Sequence, residues 1–316
     1  MQQKVAITNA NSPLAEAILE KISESGITPD SLVLLDDESF IGTRIGFGGK
    51  HLVCQDQSVF DYSSVDVVLL TARNESLESR IAAENALVVS HLPLDDSSPI
   101  YLADKETELD CAYSQKIFKL ADVEVATLTD VLKLIDAINP VTKLHITAIR
   151  SAEMHGKAAI DELAGQTVDL LSGRDVTANV YAEQIAFNLI PSSAQDSVSR
   201  EIHYFFPNLL SKPAFQIIDV AAFHGIAISV GFESVGEIFP LAIKKQLETL
   251  PGVEISELIV SPVTHCNQSF SCIVSQFKAV EEKASTGSFW LVSDPLRYGL
   301  ARNYVNVTGF LLNSFL

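Results

Sequence analysis

The first 90 residues of this chain alternate short apolar runs with stretches that suit turns and helices. Val5–Thr8 is such a run, and Ser12-Pro13 offers a helix N-cap followed by proline at the first helical position. Apolar residues then recur at spacings of four, at Leu14, Ile18 and Ile22. Further continuous runs occupy 31–36, 65–70 and 86–89. The pattern predicts a βαβ series of Rossmann type around a covered parallel sheet.

From about residue 126 the pattern changes to longer helices and longer strands. We expect strands at 144–149, 215–222, 226–232 and 271–277. Long strands that follow a helical stretch favour an α+β domain with a mainly antiparallel sheet. A chain of 316 residues with 47% hydrophobic residues is long enough for two cores.

The formal net charge of −18 limits the partners. Such a surface repels nucleic-acid phosphates and anionic lipid, so we expect neither as a partner. Residues 1–8 become polar too early for a secretory signal, and no run of about 18 apolar residues is present. We therefore expect a cytoplasmic protein.

The four cysteines do not form a recognisable site. Cys54 and Cys111 are isolated, in segments that we expect at the surface, and Cys266 and Cys272 have a Cys-x5-Cys spacing that matches no zinc or thioredoxin motif. Cys266 follows His265, but neighbours on a strand face opposite sides. We predict reduced thiols and no metal site.

Four segments, in order along nearly the whole chain, carry a resemblance to a known family. The two most recognisable are Gly156–Thr167 and Gln184–Pro191, and Phe289–Asn303 is similar to the closing segment of that family. Ala121–Thr127 resembles its reactive-cysteine loop, Ala-Asn-Pro-Asn-Cys-Ser-Thr. The chain thus resembles the aspartate-semialdehyde dehydrogenases. The resemblance implies a Rossmann-type domain at 1–124 and 296–316 and an α+β dimerisation domain at 125–295.

The resemblance also implies which residues have replaced the reacting groups. Val125 stands where the family has its nucleophilic cysteine, and Ile226 stands where it has its histidine. Valine cannot attack an aldehyde. His224, two residues earlier, is the alternative proton carrier, which we expect on the same strand face about 7 Å away. An ordinary half-buried strand histidine is the other interpretation.

The cations that would hold substrate and phosphate are also replaced. The family arginines align near Asp95-Asp96 and at Asp219, and the substrate-positioning glutamine aligns with Arg150. A carboxylate in place of a guanidinium repels an anion by about 4 kcal/mol per close pair. Gly156 and Lys157 match the family residues at their positions, but Glu153-Met-His155 replaces the small residues that precede them. Lys157 could bind an anion, but a lysine at the start of a helix is more often simply solvated. We expect no catalytic residues of the family type.

The turn after the first apolar run is a degenerate dinucleotide site. Asn9, Ser12 and Ala15 replace the three glycines that let a backbone approach a pyrophosphate. The candidate cofactor-binding residues share this turn or the end of the next strand: Asn9, Asn11, Ser12, Pro13, Leu14 and Asp36. Thr71–Asn74 likewise replaces a second glycine-containing family segment.

The carboxylates of Asp36-Asp-Glu38 would repel the 2′-phosphate of NADP, and one of them could accept a hydrogen bond from a free ribose hydroxyl. If a nicotinamide cofactor binds, the sequence favours NAD over NADP. A solvated acidic loop without a ligand is the alternative.

Three hypotheses follow. The first is a homodimeric homologue without dehydrogenase activity, similar to the Usg-type relatives that lack the cysteine. The second is an NAD-dependent oxidoreductase acting on another aldehyde or oxo compound, linked to amino-acid biosynthesis. The third is a regulatory partner that forms mixed dimers with an active relative. We favour the first, because the segments that persist are structural and those that are lost are chemical.

Overall fold

The computed structural model describes residues 3–25, 31–72, 77, 80–81, 84, 86–92, 100–102, 116–193, 195–281 and 284–315. The chain divides into two compact units. Unit 1 comprises residues 1–123 and 300–316, and unit 2 comprises residues 124–299. Within the described ranges, none of the helices combines the length and the apolar content that a bilayer crossing requires.

Unit 1 contains the predicted parallel sheet, in the spatial order β5-β2-β1-β6-β7-β9-β8. All of its paired strands run parallel. Its strands are β1 (Lys4–Ile7), β2 (Ser31–Asp36), β5 (Gln55–Asp56), β6 (Val67–Leu70), β7 (Leu87–Ser90), β8 (Ile100–Tyr101) and β9 (Ile117–Leu120); β3 (Arg44–Phe47) and β4 (Lys50–Val53) form a separate hairpin. The Rossmann-type prediction is confirmed.

The predicted first helix is α1 (Pro13–Ser25), and it buries Leu14, Ile18 and Ile22 as their spacing indicates. The chain returns to unit 1 through a π-helical turn (Pro295–Ala301) and the closing helix α7 (Arg302–Phe315). Tyr304 fixes that helix, because its buried hydroxyl donates to the Leu70 carbonyl at 2.7 Å.

Unit 2 is built on a seven-stranded sheet in the order β11-β12-β10-β13-β16-β15-β14. It is mainly antiparallel, as predicted, but the pairs β10–β12 and β14–β15 are parallel. Its strands are β10 (Val141–Arg150), β11 (Leu189–Pro191), β12 (Ala214–Val220), β13 (Ile226–Ser234), β14 (Val253–Ser256), β15 (Cys272–Ala279) and β16 (Thr286–Ser293). Its helices are α2 (Val123–Ile138), α3 (Lys157–Leu171), α4 (Gln195–Phe205), α5 (Pro240–Leu247) and the short α6 (Pro262–His265), with a 3₁₀ turn at Ala152–His155.

The two faces of this sheet differ. One face carries buried apolar residues such as Leu144, Ala148 and Ile228. The opposite face, which we call the open face, carries exposed or half-buried side chains at the centre of the sheet. A groove of about 530 Å³ there is lined by His145, Ile146, Thr147, Ala214, Phe215, Gln216, Ser229 and Gly231. At the other end of this face, Val260 and Cys266 cover Ala227 and Val292.

Candidate functional site

The structure brings three of the predicted site positions into one row of unit 2. Arg150, the last residue of β10, is paired with Asp219 on β12 and with Ile226 on β13. Residues opposite each other on paired strands point to the same face. The positions aligned with a glutamine, an arginine and a histidine are therefore side by side. Asp219 and Ile226 are both buried.

Val125 lies in the first turn of α2 and is completely buried. The residue before it, Glu124, is also fully buried, and its Oε1 lies 2.6 Å from Nε of Arg150. Two effects stabilise this carboxylate: the positive end of the α2 helix dipole and the guanidinium. The charge of Arg150 is therefore balanced by the chain itself.

His224 is not on a strand, so the strand interpretation was wrong. It lies in the turn between β12 and β13, with its side chain 44% exposed, and its Nδ1 is 3.1 Å from Oε2 of Glu153. Glu153 is buried, and its Oε1 accepts a hydrogen bond from the backbone N–H of Gly225. Burial raises the pKa of the Glu153 carboxyl, while the bonds from Gly225 and His224 oppose that shift.

Gly225 explains why the strand begins only at Ile226. Its φ is +88°, in the region that favours glycine, and a Cβ placed there would lie 2.4 Å from Cβ of Pro262. The glycine of the family motif is thus required by packing in this chain.

Asp219, which stands where the family has an arginine, has a hydrogen-bond partner within unit 2. Its Oδ1 lies 3.0 Å from Nε2 of His155. The ring of His155 contacts Tyr181 edge-on, with ring centroids 5.1 Å apart. Burial, and then the charge of Asp219, raises the pKa of Tyr181 to about 12. Lys157, at the start of α3, is exposed, as expected of a solvated residue.

The two most recognisable family segments hold each other in place. Gln166 of α3 accepts hydrogen bonds through Oε1 from the backbone N–H groups of Ile185 and Ala186, at 2.9 and 3.1 Å. Glu162 accepts from the N–H groups of Asn179 and Val180. The helix therefore satisfies backbone donors of a segment that has little secondary structure of its own.

In unit 1 the candidate dinucleotide turn folds as the sequence predicts. Asn9 adopts a φ of 48°, the left-handed conformation that asparagine tolerates. Ser12 caps α1, since its Oγ accepts from the N–H of Ala15 at 3.2 Å. Asp36 is buried at the end of β2, and its Oδ2 accepts from the N–H of Asn11 at 2.8 Å.

The edge where a Rossmann sheet binds its ligand lies between β1 and β6, because the strand order reverses there. Thr8 and Thr71 join the carboxyl ends of these two strands. The Thr71 hydroxyl donates to the Thr8 carbonyl at 2.6 Å, and the Thr71 N–H donates to the Thr8 hydroxyl at 3.2 Å. Hydrogen bonds of two threonine residues therefore link the carboxyl ends of β1 and β6 at this edge.

The described thiols are buried, not at the surface as we expected for Cys54. Burial, then the charge of Asp36, raises the pKa of Cys54 to about 11. His265 and Cys266 lie at the end of the short helix α6, which corrects the strand assignment. His265 is exposed and contacts Thr264, whereas burial raises the pKa of Cys266 to about 12.

Several predicted positions lie outside the described residues: Asp95, Asp96, Cys111, and Arg73 and Asn74 of the second glycine segment. Sequence reasoning, for its part, missed Glu124 and treated Glu153 only as a bulky replacement. The available signal was an acidic residue with apolar neighbours on both sides: Val123 and Val125 flank Glu124, and Ala152 and Met154 flank Glu153.

A parallel Rossmann-type sheet followed by a mixed α/β sheet of this topology defines the semialdehyde dehydrogenase class of fold. Residues 131–298 match the family model described as semialdehyde dehydrogenase, dimerisation domain. Aspartate-semialdehyde dehydrogenase 2 of Vibrio cholerae is 28% identical over 99% of both chains. The USG-1 protein homolog of Pseudomonas aeruginosa is 25% identical over 99% of this chain and 98% of its own.

Among solved structures, the chain is similar to aspartate semialdehyde dehydrogenase II of Vibrio cholerae complexed with ASA, with a TM-score of 0.91, 25% identity and full coverage of both chains. The chain belongs to the aspartate-semialdehyde dehydrogenase family. The family predicted from the four segments is confirmed.

Proposed function

We propose that this protein is a homodimeric member of its family without semialdehyde dehydrogenase activity, with a structural or regulatory role. The observation that carries the proposal is the ion pair beside Val125 between Glu124, which is fully buried, and Arg150, whose side chain is 11% exposed. A phosphorylating semialdehyde dehydrogenase needs a thiolate, a proton carrier and free cations at its reacting centre. This chain has the apolar Val125 at the position of the thiolate, and Arg150, which stands where the family has a glutamine, is paired with Glu124.

The row across the sheet supports the same conclusion. Ile226 cannot transfer a proton. Asp219 places a carboxylate at a position where binding of an anionic substrate would need a cation. By contrast, the hydrogen bonds of Gln166 and the packing of Gly225 give the retained family residues structural roles. Loss of chemistry with retention of architecture is expected of a scaffold.

We propose that a second copy of the chain binds the open face of the unit 2 sheet. The family model that matches unit 2 is described as a dimerisation domain. The groove beside His145, Thr147 and Ser229 leaves part of an antiparallel sheet face uncovered, which suits association. A mixed dimer with an active relative would use the same face. The described cysteines are buried and form no disulfide with one another, which suits a cytoplasmic protein.

A second candidate is an NAD-dependent oxidoreductase acting on another aldehyde or oxo compound, linked to amino-acid biosynthesis. The pair formed by His224 and Glu153 favours it, because a carboxylate that orients a half-exposed imidazole is a common arrangement for proton transfer. NAD is then the expected cofactor and NADP the weaker candidate.

The deciding experiment measures both activity and binding. The purified protein is assayed with aspartate semialdehyde, phosphate and NADP, beside the Vibrio cholerae enzyme as a positive control. It is also titrated calorimetrically with NAD and with NADP. We expect no turnover and no saturable heat from either cofactor. Phosphate-dependent turnover would refute the proposal, and NAD binding with aldehyde-dependent NADH formation would establish the second candidate.

A further inference from the structure

The carboxylate of Asp36 lies where the phosphate-binding turn of unit 1 would present its backbone to an anion. In a dinucleotide site, N–H groups of the turn after β1 donate to the pyrophosphate. We propose that Asp36 is a built-in occupant of this turn and excludes the diphosphate of a nucleotide. The inference rests on the proposed function, in which dinucleotide binding has been lost.

Several N–H groups of the turn already have acceptors. Ala10 donates to the Leu35 carbonyl at 3.0 Å, and Ser12 donates to the Asn9 carbonyl at 2.9 Å. The N–H of Ala15 donates to the Ser12 hydroxyl, and residue 13 is a proline without an N–H. These acceptors are neutral groups.

Asn11 is different, because its N–H donates to a charged side chain at the end of β2. Oδ2 of Asp36 accepts this bond at 2.8 Å, and Oδ1 accepts from the N–H of Asp37, also at 2.8 Å. Asp36 is only 4% exposed. The carboxylate is therefore held between the turn and the end of β2 by two charge-assisted hydrogen bonds.

This position makes Asp36 a competitor of phosphate. A phosphate oxygen that bonded to the Asn11 N–H would displace Asp36 or lie next to its charge, and both outcomes cost affinity. The side chains of Thr8 and Thr71 close the neighbouring strand ends. Alternatively, Asp36 could accept a hydrogen bond from a ribose hydroxyl, and its carboxylate would then be necessary for nucleotide binding. The two roles predict opposite effects of removing the carboxylate.

The test compares ADP and NAD binding by calorimetry in the wild-type protein, Asp36→Ala, Asp36→Asn and the control Asp61→Asn. Asp61 carries the same charge in unit 1 and also accepts a backbone N–H, but it is exposed. We expect Asp36→Ala and Asp36→Asn to bind ADP at least tenfold more tightly than the wild type, and Asp61→Asn to behave as the wild type.

A second measurement reports on the Asn11 N–H itself, first without ligand and then with ADP. We expect hydrogen–deuterium exchange of the Asn11 amide to be slow in the wild type, fast in Asp36→Ala, and slow again when ADP is added to that variant. Asp36→Asn keeps the shape of the side chain, so it provides a variant if the alanine substitution unfolds unit 1.

The outcomes separate the inference from the proposed function. Wild-type protein that binds NAD, with loss of binding in both variants, would refute both, since Asp36 would then be the ribose acceptor. Folded variants that bind no more ADP than the wild type would overturn the role of Asp36 alone. In that case the proposed loss of dinucleotide binding would stand.

Discussion

Nε of Arg150 lies 2.6 Å from Oε1 of Glu124, and Glu124 directly precedes Val125. This ion pair joins the end of a central strand to the first turn of α2. In the loop quoted for the family, an asparagine stands before the cysteine, and a glutamine is aligned with Arg150. Two neutral residues have thus been replaced by a pair of opposite charges that satisfy each other. A pair of this kind serves folding and leaves no free cation for a substrate.

The first prediction concerns the stability that depends on this pair. Glu124→Gln leaves the largely buried side chain of Arg150 without its counter-ion, which costs about 3 kcal/mol or more. The double variant Glu124→Asn with Arg150→Gln removes both charges, so we expect it to recover most of that loss. Chemical denaturation measures both free energies of unfolding.

The matched control is the exposed pair of Lys143 and Glu233, whose charges are 2.9 Å apart. Glu233→Gln should change the free energy of unfolding by less than about 1 kcal/mol. Equal effects of Glu124→Gln and Glu233→Gln would contradict the importance of burial at the first pair.

The second prediction is that Val125→Cys does not restore aspartate-semialdehyde oxidation. The new thiol would lie beside the Glu124 carboxylate, which disfavours a thiolate, and Ile226 cannot act as its base. A turnover assay with phosphate and NADP measures the result. The single variant is compared with the triple variant Val125→Cys, Ile226→His and Glu124→Asn, which also supplies the histidine and removes the carboxylate. Activity in the single variant would show that the remaining groups are still competent.

The third prediction concerns the retained helix α3. Gln166→Leu leaves the N–H groups of Ile185 and Ala186 without their acceptor, and we expect a loss of about 2–4 kcal/mol, since each buried unsatisfied donor costs about 1–3 kcal/mol. Thermal denaturation reports the loss, and amide exchange at residues 185 and 186 locates it. Glu183→Ala, an exposed change in the same segment, is the control. Unchanged exchange at those two amides would rule out this role for Gln166.

The elements of the fold were predictable where apolar patterning decides them. β2 has the predicted bounds, Ser31–Asp36, and β13 begins at the predicted Ile226. His224 was placed on a strand because it stands two residues before Ile226, whereas it lies in the turn before β13, where Gly225 has a positive φ. A side chain at position 225 would also collide with Pro262, which is remote in sequence.

The candidate site was predictable only as a set of missing groups. Alignment to the quoted motifs indicated what Val125, Ile226 and Asp219 cannot do, and the register of the strands places the last two beside Arg150. The new partnerships could not be foreseen. Glu124 and Arg150 are far apart along the chain, and no local pattern specifies that two such charges will meet when the chain folds.

The fourth prediction is a pH dependence that arises from Glu153. Burial raises the pKa of this carboxyl in the folded state, so its contribution to stability is present below its unfolded pKa and is lost as pH rises through the folded pKa. Glu153→Gln keeps an acceptor for the Gly225 N–H and has no charge to desolvate. We expect its melting temperature to exceed that of the wild type near neutral pH by roughly 2 °C or more, and the difference to vanish towards pH 4. A difference that is constant across this range would mean that the ionisation of Glu153 is not its cause.

The fifth prediction locates the proposed dimer interface on the open face. Ser229 lies on β13 opposite Thr147 of β10, at the groove, and its side chain is exposed in the single chain. Ser229→Arg places a long charged side chain on this face of each copy, where a two-fold interface would bring like charges together and bury them. Sedimentation equilibrium should therefore show a dimer for the wild type and a monomer, or a dimer weakened at least tenfold, for Ser229→Arg. Ser23→Arg, on the exposed surface of α1 in unit 1, introduces the same side chain and should leave the dimer intact. A Ser229→Arg variant that dimerises as tightly as Ser23→Arg would place the interface on another surface of the molecule.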